Sequence, residues 1–375
     1  MNVLILSCDT GAGHNTTGLA VLEELKRRGH CAEMKDPFQL SHSLIARNIG
    51  SFYVKLVQKF PHLFGIAYLL GMIVTKLPFL SPVYHANGLM AKHMQRYLLA
   101  HPADVVVAPH LYPAEMLTYM KRHNMPCPKL VFIATDYACI PFTEETDCDY
   151  YVIPHQSLQK SFVMRGIPAE KLLPFGIPVR SAFRCNITKK DARRQLGLPL
   201  DTVCYLVVGG SMGAGKVKQI VSYLAAHRRN EEHIVVICGN NAALQKSLQS
   251  RYLFTPGISI LGATNQMGLY MRACDLLYSK PGGLSSTEAA VTGIPLVHTT
   301  PIPGCETVNR AFFQKHGMSL SAKDARHQAA LGLRLLKNPK AMHYMRKQQA
   351  AFTARDSVGN ICDFIEKLGI NEMKE

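Results

Sequence analysis

Apolar residues come in short runs separated by stretches of helical period. NVLILSC (2–8) is one such run, and from about Asn15 to Arg28 apolar positions recur at three- and four-residue spacing. That predicts a strand followed by an amphipathic helix. The same reading gives strands at 31–36, 104–110, 129–136, 150–154 and 171–179, with helices near 113–123 and 156–165. Residues 180–195, RSAFRCNITKKDARRQ, are polar and basic and read as a linker. The alternation then restarts, with strands at 203–210, 233–239, 258–263, 274–281 and 295–300, and the end of the chain reads as helical. Strands spaced by helices predict mostly parallel sheets with helices on both faces. Two such sheets in tandem predict an α/β protein of two Rossmann-like domains facing a cleft, with ligands at the carboxyl ends of the strands. The expected domains are 1–180 and 181–345, with 346–375 a C-terminal helix packing back toward the first.

Length and composition agree with this picture. A chain of 375 residues exceeds one ordinary core. It is 47% hydrophobic and 18% charged, with no apolar run long enough to span a bilayer. The start, MNVLILSC, is uncharged and runs into a glycine-rich turn, so it reads as a buried strand rather than a signal peptide. Eleven cysteines, an odd number without a C-x-x-C pair, suit a reducing cytoplasm and suggest neither disulfides nor a metal site.

Charge changes the picture more. The net charge is +16, which attracts an anionic partner. From Pro37 to Ala103 there is no Asp or Glu, while Arg47, Lys55, Lys59, Lys76, Lys92 and Arg96 alternate with aromatic residues. The centre of this stretch, LFGIAYLLGMIVT, is too short to cross a membrane but long enough to lie in its interface. Residues 37–103 therefore read either as a docking region for an anionic membrane surface or as a buried helix in an elaborated loop. Nucleic acid is not expected, because no binding module is present and bulky aliphatic residues outnumber the bases. The expected location is the cytoplasmic face of the cell membrane, held peripherally.

Three glycine-rich turns carry the candidate chemistry. In CDTGAGHNTT, Gly11 and Gly13 allow a tight bend and put His14 at a helix N-terminus, where the helix dipole favours a neutral ring able to accept a proton. A simple helix cap fits equally. In VVGGSMGAGKV, Gly209, Gly210 and Gly213 suit close approach to phosphates. Val217 stands where a P-loop has its Mg²⁺-binding Ser or Thr, so this turn reads as a diphosphate cradle without a metal. In SKPGGLSSTEAA, Pro281, Gly282 and Gly283 lead into a helix expected to begin near Ser285. Ser285 and Glu288 make either a capping box or, through Glu288, an acceptor for the two hydroxyls of a ribose. PIPGCETVN adds Glu306 and Asn309, acceptors for sugar hydroxyls, with a Glu306–Arg310 pair as the structural alternative. Together the turns describe a nucleotide-sugar pocket.

These segments resemble the diacylglycerol glycosyltransferases, comprising processive diacylglycerol glucosyltransferases and monogalactosyldiacylglycerol synthases. More distantly the chain is similar to the lipid-linked N-acetylglucosamine transferase of peptidoglycan synthesis. The matching runs are DTGAGH, ATD, FGIPV, VVGGSMG, KPGGLSSTEA and PIPGCETVN, within about residues 1–320. The resemblance implies a glycosyltransferase fold of the B type (GT-B) and an inverting, metal-independent hexosyltransferase. It needs no cofactor beyond its UDP-sugar donor and acts on diacylglycerol or a related lipid. It implies His14 as the base, with Gly11, Gly13 and Asp136 on the acceptor side. Gly210, Ser211, Met212 and Gly213 would hold the diphosphate, with Gly282 and Gly283 on the following turn. Ala263, Thr264 and Met267 would lie at the uracil, Glu288 at the ribose, and Glu306 and Asn309 at the donor sugar. Cys305 stands where many members have Gln, and YACIPFTEE follows ATD where many have His and Trp. Two other readings stay open at this stage, a UDP-sugar 2-epimerase or hydrolase on the same fold and a non-enzymatic binder of anionic membranes or nucleic acid.

Overall fold

The computed structural model describes residues 1–8, 12–40, 61–75, 79–210, 216–229 and 231–372. They form two compact units, Met1–Arg180 with Asp356–Glu375, and Ser181–Arg355. Each unit is built on a six-stranded parallel sheet.

The first sheet comprises β1 (Asn2–Leu6), β2 (Cys31–Lys35), β3 (Val105–Ala108), β4 (Lys129–Ile133), β5 (Tyr150–Val152) and β6 (Leu172–Leu173), in the order β2-β1-β3-β4-β5-β6. β3, VVVA, is buried throughout, as a strand must be when helices cover both faces. The chain runs outward from β1 to β2, then returns to lay β3 on the other side of β1, with Val3 opposite Val105. Such a reversal opens a crevice at the carboxyl ends of the two strands.

The second sheet comprises β7 (Cys204–Val208), β8 (His233–Ile237), β9 (Ile258–Leu261), β10 (Leu276–Ser279), β11 (Leu296–His298) and β12 (Leu320–Ser321), in the order β12-β11-β10-β7-β8-β9. Its reversal lies between β7 and β10, where Val208 is opposite Ser279. β12 falls where the pattern marks no strand, because two residues are too few to display one.

The expected linker is not one. Ser181–Arg184 and Lys189–Leu196 are helices. Thr188 caps the second by accepting from Asp191 N, and a left-handed Gly197 ends it. Arg193 is 3% exposed and donates to the carbonyls of Ala273 and Leu200 and to Asp275 Oδ2. A buried arginine so fully paired anchors the segment to the second unit.

At the other end, Ser357–Glu372 is a helix of the first unit. Val358, Ile361, Cys362 and Ile365 share a buried cluster with Val3, Ile5, Val21 and Leu25. Arg28 pairs with Glu366, and Ser357 Oγ donates to Gly176 O.

Of the acid-free stretch, residues 41–60 and 76–78 lie outside the described residues. The rest includes helices Pro61–Val74, Pro82–Gly88 and Ala91–Ala100. Leu69, Leu70, Ile73 and Phe79 are each more than half exposed. The other side of the first helix meets protein, where Gly71 lies against Pro141 and Phe142. The buried-helix alternative therefore fails for Leu69, Leu70 and Ile73. Among the described residues no helix is long and apolar enough to cross a membrane. Ser81 fastens the stretch to Glu145 by its amide and hydroxyl, and Tyr97 Oη donates to Glu33. Gly88 is required by packing, because any Cβ there would collide with the Tyr119 ring.

Helix Leu111–Arg122 carries a buried acid with a consequence for stability. Both oxygens of Glu115 are buried without a hydrogen-bond partner among the described residues. Burial, and then the nearby Glu145, push its pKa from 4.5 up to about 10. Folded Glu115 is thus protonated at neutral pH, whereas in the unfolded chain it is ionised. Between those two pKa values the folded state holds the extra proton, so stability falls as pH rises, by about 1.4 kcal/mol per unit. Glu115→Gln is expected to flatten this slope and raise the melting temperature at pH 8. Parallel melting-temperature curves for variant and wild type would assign the slope to another group.

Candidate active site

Both sheet reversals gather polar side chains at the carboxyl ends of their strands. In the first unit, helix Ala12–Arg27 begins after β1, and Ser7 Oγ donates to Asn15 Oδ1 across the turn. This sets His14 beside the residues following β3 and β4. His14 Nδ1 lies 2.8 Å from Pro109 O and 3.0 Å from Thr135 Oγ1. A carbonyl only accepts, so Nδ1 carries the proton and the lone pair of the neutral ring is on Nε2. Burial lowers the His14 pKa below 6.5, against the opposing pull of Asp136 and of the Pro109 carbonyl. The ring is therefore neutral at pH 7 and can take a proton. The simple-cap alternative fails, because the ring bonds to distant segments rather than to its own helix.

His110 and Thr135 are the residues the sequence reading missed here. His110 Nδ1 accepts from Tyr112 N at 3.1 Å and caps helix Leu111–Arg122, so its proton is on Nε2. Its ring meets His14 edge-on at 4.5 Å between centroids. Burial, then His14, drive the His110 pKa well down. The signal was available in outline, since PH (109–110) and TD (135–136) both follow strand-like runs. Asp136 lines the same small hollow as His14, with Phe132, Ala134 and Ile140. Gly13 lies in the first turn of the helix, and Gly11 is outside the described residues.

In the second unit the site is assembled from the turns after β7, β10 and β11. Gly210 follows β7 with a φ of +68°, which favours glycine. Ser211, Met212 and Gly213 lie outside the described residues. After β10, helix Gly283–Thr292 begins two residues earlier than expected, with Gly282 as N-cap and no side-chain cap. The Ser285–Glu288 capping box is therefore absent, and Glu288, 6% exposed, sits in the second turn. The first-turn amides of a ten-residue helix thus end the turn, as anion binding requires. His298 holds this helix in place between Ser286 Oγ at 2.9 Å and Ser319 Oγ at 3.0 Å, and burial pushes its pKa down to about 3.

Lys280, which the sequence reading passed over, links all three turns. Its Nζ is 2.7 Å from Glu306 Oε1, and a Cβ on Gly210 would fall 2.6 Å from its Cε. The ammonium thus sits at the mouth of the glycine turn after β7. The signal in the sequence was a lysine immediately before the Pro-Gly-Gly of the turn after β10. Glu306 Oε2 accepts from Ile302 N at 2.8 Å, so the Arg310 pairing is replaced by Lys280 and a backbone amide. Asn309 is fully buried, and its Nδ2 donates to Pro281 O at 3.0 Å, stapling the turn. Ala263 and Thr264 follow β9, where Thr264 Oγ1 accepts from Gln266 N, and Met267 opens the next helix. Among the described residues no group of three or more His, Cys, Asp or Glu side chains is placed to hold a metal ion.

Comparison with known proteins follows this division. The monogalactosyldiacylglycerol (MGDG) synthase family model matches residues 14–179, and the glycosyltransferase family 28 C-terminal domain matches residues 204–360. The chain is 26% identical to probable monogalactosyldiacylglycerol synthase 2, chloroplastic, of Oryza sativa subsp. indica, over 88% of this chain and 72% of that one. It is 24% identical to the processive diacylglycerol beta-glucosyltransferase of Bacillus pumilus, over 97% and 94%. Among solved structures it superposes on Acinetobacter baumannii MurG with a TM-score of 0.61 at 15% identity, covering 98% of this chain and 99% of that one. The Neisseria meningitidis UDP-GlcNAc 2-epimerase gives 0.62 at 13%, covering 98% and 100%, so the fold alone does not separate transferase from epimerase. The two family matches do, and they make this chain a glycosyltransferase with two Rossmann-like domains of the GT-B type. Its family matches and its curated relatives make it similar to the diacylglycerol glycosyltransferases and to the family 28 glycosyltransferases.

Proposed function

We propose that the protein transfers a hexose from a UDP-sugar to the hydroxyl of diacylglycerol or a related membrane lipid, in one inverting displacement without a metal ion. The observation that carries this reading is the His14 ring, neutral and with its proton committed to Pro109 O. His14 Nε2 takes the acceptor proton as the oxygen attacks the anomeric carbon. The C–O bond to the diphosphate breaks, and UDP leaves with the electron pair. Lys280, the amides of the β7 turn and the N-terminus of helix Gly283–Thr292 receive the developing charge. Glu288 serves the ribose. Glu306 serves the sugar through lone pairs left by Lys280 and Ile302 N, while Asn309 keeps the turn in place. Residues 37–103 dock on an anionic membrane at the cytoplasmic face. Exposed Leu69, Leu70 and Ile73 support this, as does the basic, acid-free sequence.

The test is incubation with UDP-glucose, UDP-galactose or UDP-N-acetylglucosamine and mixed diacylglycerol vesicles, without added divalent metal, followed by mass analysis of the lipids. A lipid heavier by one hexosyl group, with the anomeric configuration inverted, is the expected product. Isomerised or free sugar with no glycolipid would overturn the reading.

A further inference from the structure

Helices Val217–His227, Ala242–Tyr252 and Ala325–Leu336 pack in one core cluster on the second sheet, and an open groove runs between them. Lys218, Arg251 and Arg326 line it, together with His227 and His327. Its one carboxylate, Asp324, is already committed. It caps helix Ala325–Leu336 by accepting from His327 N, and it pairs with the His327 ring at 2.9 Å. Among the described residues Lys218, Arg251 and Arg326 form no ion pair. Lys218 Nζ donates to the neutral Ser247 Oγ, and the Arg251 guanidinium lies over the Tyr252 ring. Lys218 and Arg326 also stand in the first turns of their helices, where the helix dipole disfavours a cation. Positive charge set against the local preference and left uncompensated is a cost that an anionic partner removes.

A second observation says what kind of partner. Directly after Arg251 the chain leaves helix Ala242–Tyr252 and turns toward β9, the edge strand of the sheet. Leu253 and Phe254, in that turn, are 69% and 92% exposed. One exposed leucine is ordinary. An adjacent leucine and phenylalanine beside uncompensated cations are the combination that interfacial binding uses. An anionic bilayer offers phosphate oxygens and hydrocarbon side by side, and so complements both parts of the patch. A second copy of this chain does not, because a two-fold contact would set the same cations against each other.

We propose that the second unit has its own contact site for an anionic phospholipid surface. Lipid phosphates meet Lys218, Arg251 and Arg326, while Leu253 and Phe254 enter the boundary between headgroups and acyl chains. The inference rests neither on the proposed reaction nor on the docking of residues 37–103, because no residue of the patch belongs to either.

Flotation of the full chain with phosphatidylcholine vesicles, with and without phosphatidylglycerol, tests this. On the anionic vesicles, Arg251→Ser/Arg326→Ser should lower the affinity roughly 30-fold, about fivefold for each cation. That deficit should shrink as salt is added. Leu253→Ser/Phe254→Ser should lower the affinity at least about tenfold, with little dependence on salt. All four side chains are exposed, so both variants should keep the wild-type melting temperature and UDP affinity. The triple variant Leu69→Ser/Leu70→Ser/Ile73→Ser separates the two contacts. It should retain binding that the second-unit changes then abolish. Unchanged binding in the triple variant, with loss in the other two, would overturn docking through residues 37–103 and support the present site. Loss of all binding in the triple variant, with the other two matching wild type, would overturn this proposal. It also fails if wild type binds no anionic vesicle. Light scattering covers the remaining case. A wild-type dimer that Leu253→Ser/Phe254→Ser makes monomeric, with vesicle binding unchanged, would make the patch a contact between copies and overturn the lipid assignment.

Discussion

Replacing His14 by alanine is expected to lower turnover by about 10²–10⁴-fold, the usual share of a general base. UDP affinity should be unchanged, because the ring belongs to the acceptor side of the proposed reaction. The argument rests on where its proton is. Nδ1 is bound to Pro109 O, so the basic position is Nε2. Burial holds the pKa below 6.5, which keeps the base form populated further into acid than an ordinary histidine would. The acid limb of kcat/KM should therefore fall below pH 6.5 in wild type and disappear in His14→Ala. Thr135→Val is the control, since it leaves the Pro109 bond intact and should cost far less. A kcat near wild type in His14→Ala would leave the ring only a brace between two strand ends.

Lys280→Met is expected to reduce turnover by about 10²–10³-fold, comparable to losing one preorganised donor at a developing negative charge. Unlike the His14 change, it should also weaken binding of UDP itself. Lys280 and Glu306 are both largely buried, with side-chain exposures of 12% and 9%. Removing one partner of such a pair destabilises by about 3–5 kcal/mol, so a folding defect could imitate loss of function. The double variant Lys280→Met/Glu306→Gln removes both charges and should recover most of the melting temperature. Glu306→Gln alone should leave UDP affinity nearly unchanged while lowering sugar transfer. If the double variant regained UDP affinity along with stability, Lys280 would be a structural partner of Glu306 and nothing more.

Much of the molecule could be read locally. Continuous buried runs such as VVVA and LLYS are strands because both their faces are covered, and the glycine turns after β1, β7 and β10 interrupt that pattern visibly. Residues 180–195 could not be read this way. Their charges look solvated until Arg193 is seen buried against Asp275, far along the chain. The roles of Ser285 and Glu306 were ambiguous for the same reason. A capping box and an i,i+4 pair are local possibilities, but the helix starts two residues earlier, at Gly283, and Glu306 pairs with Lys280 instead. Asn309 looked like a ligand group and is instead fully buried beneath Pro281.

From its own order of residues the chain determined which segments are strands, which turns are bare of side chains, and that a buried neutral histidine could stand at a helix start. These follow from periodicity and backbone freedom, which act over a few residues. Tertiary structure alone decided which turns meet. The return of β3 beside β1 brings Pro109 to His14, 95 residues away, and the return of β10 beside β7 lays Lys280 over Gly210. Strand order is set by how whole helices pack across a sheet, and no short window of sequence carries that information.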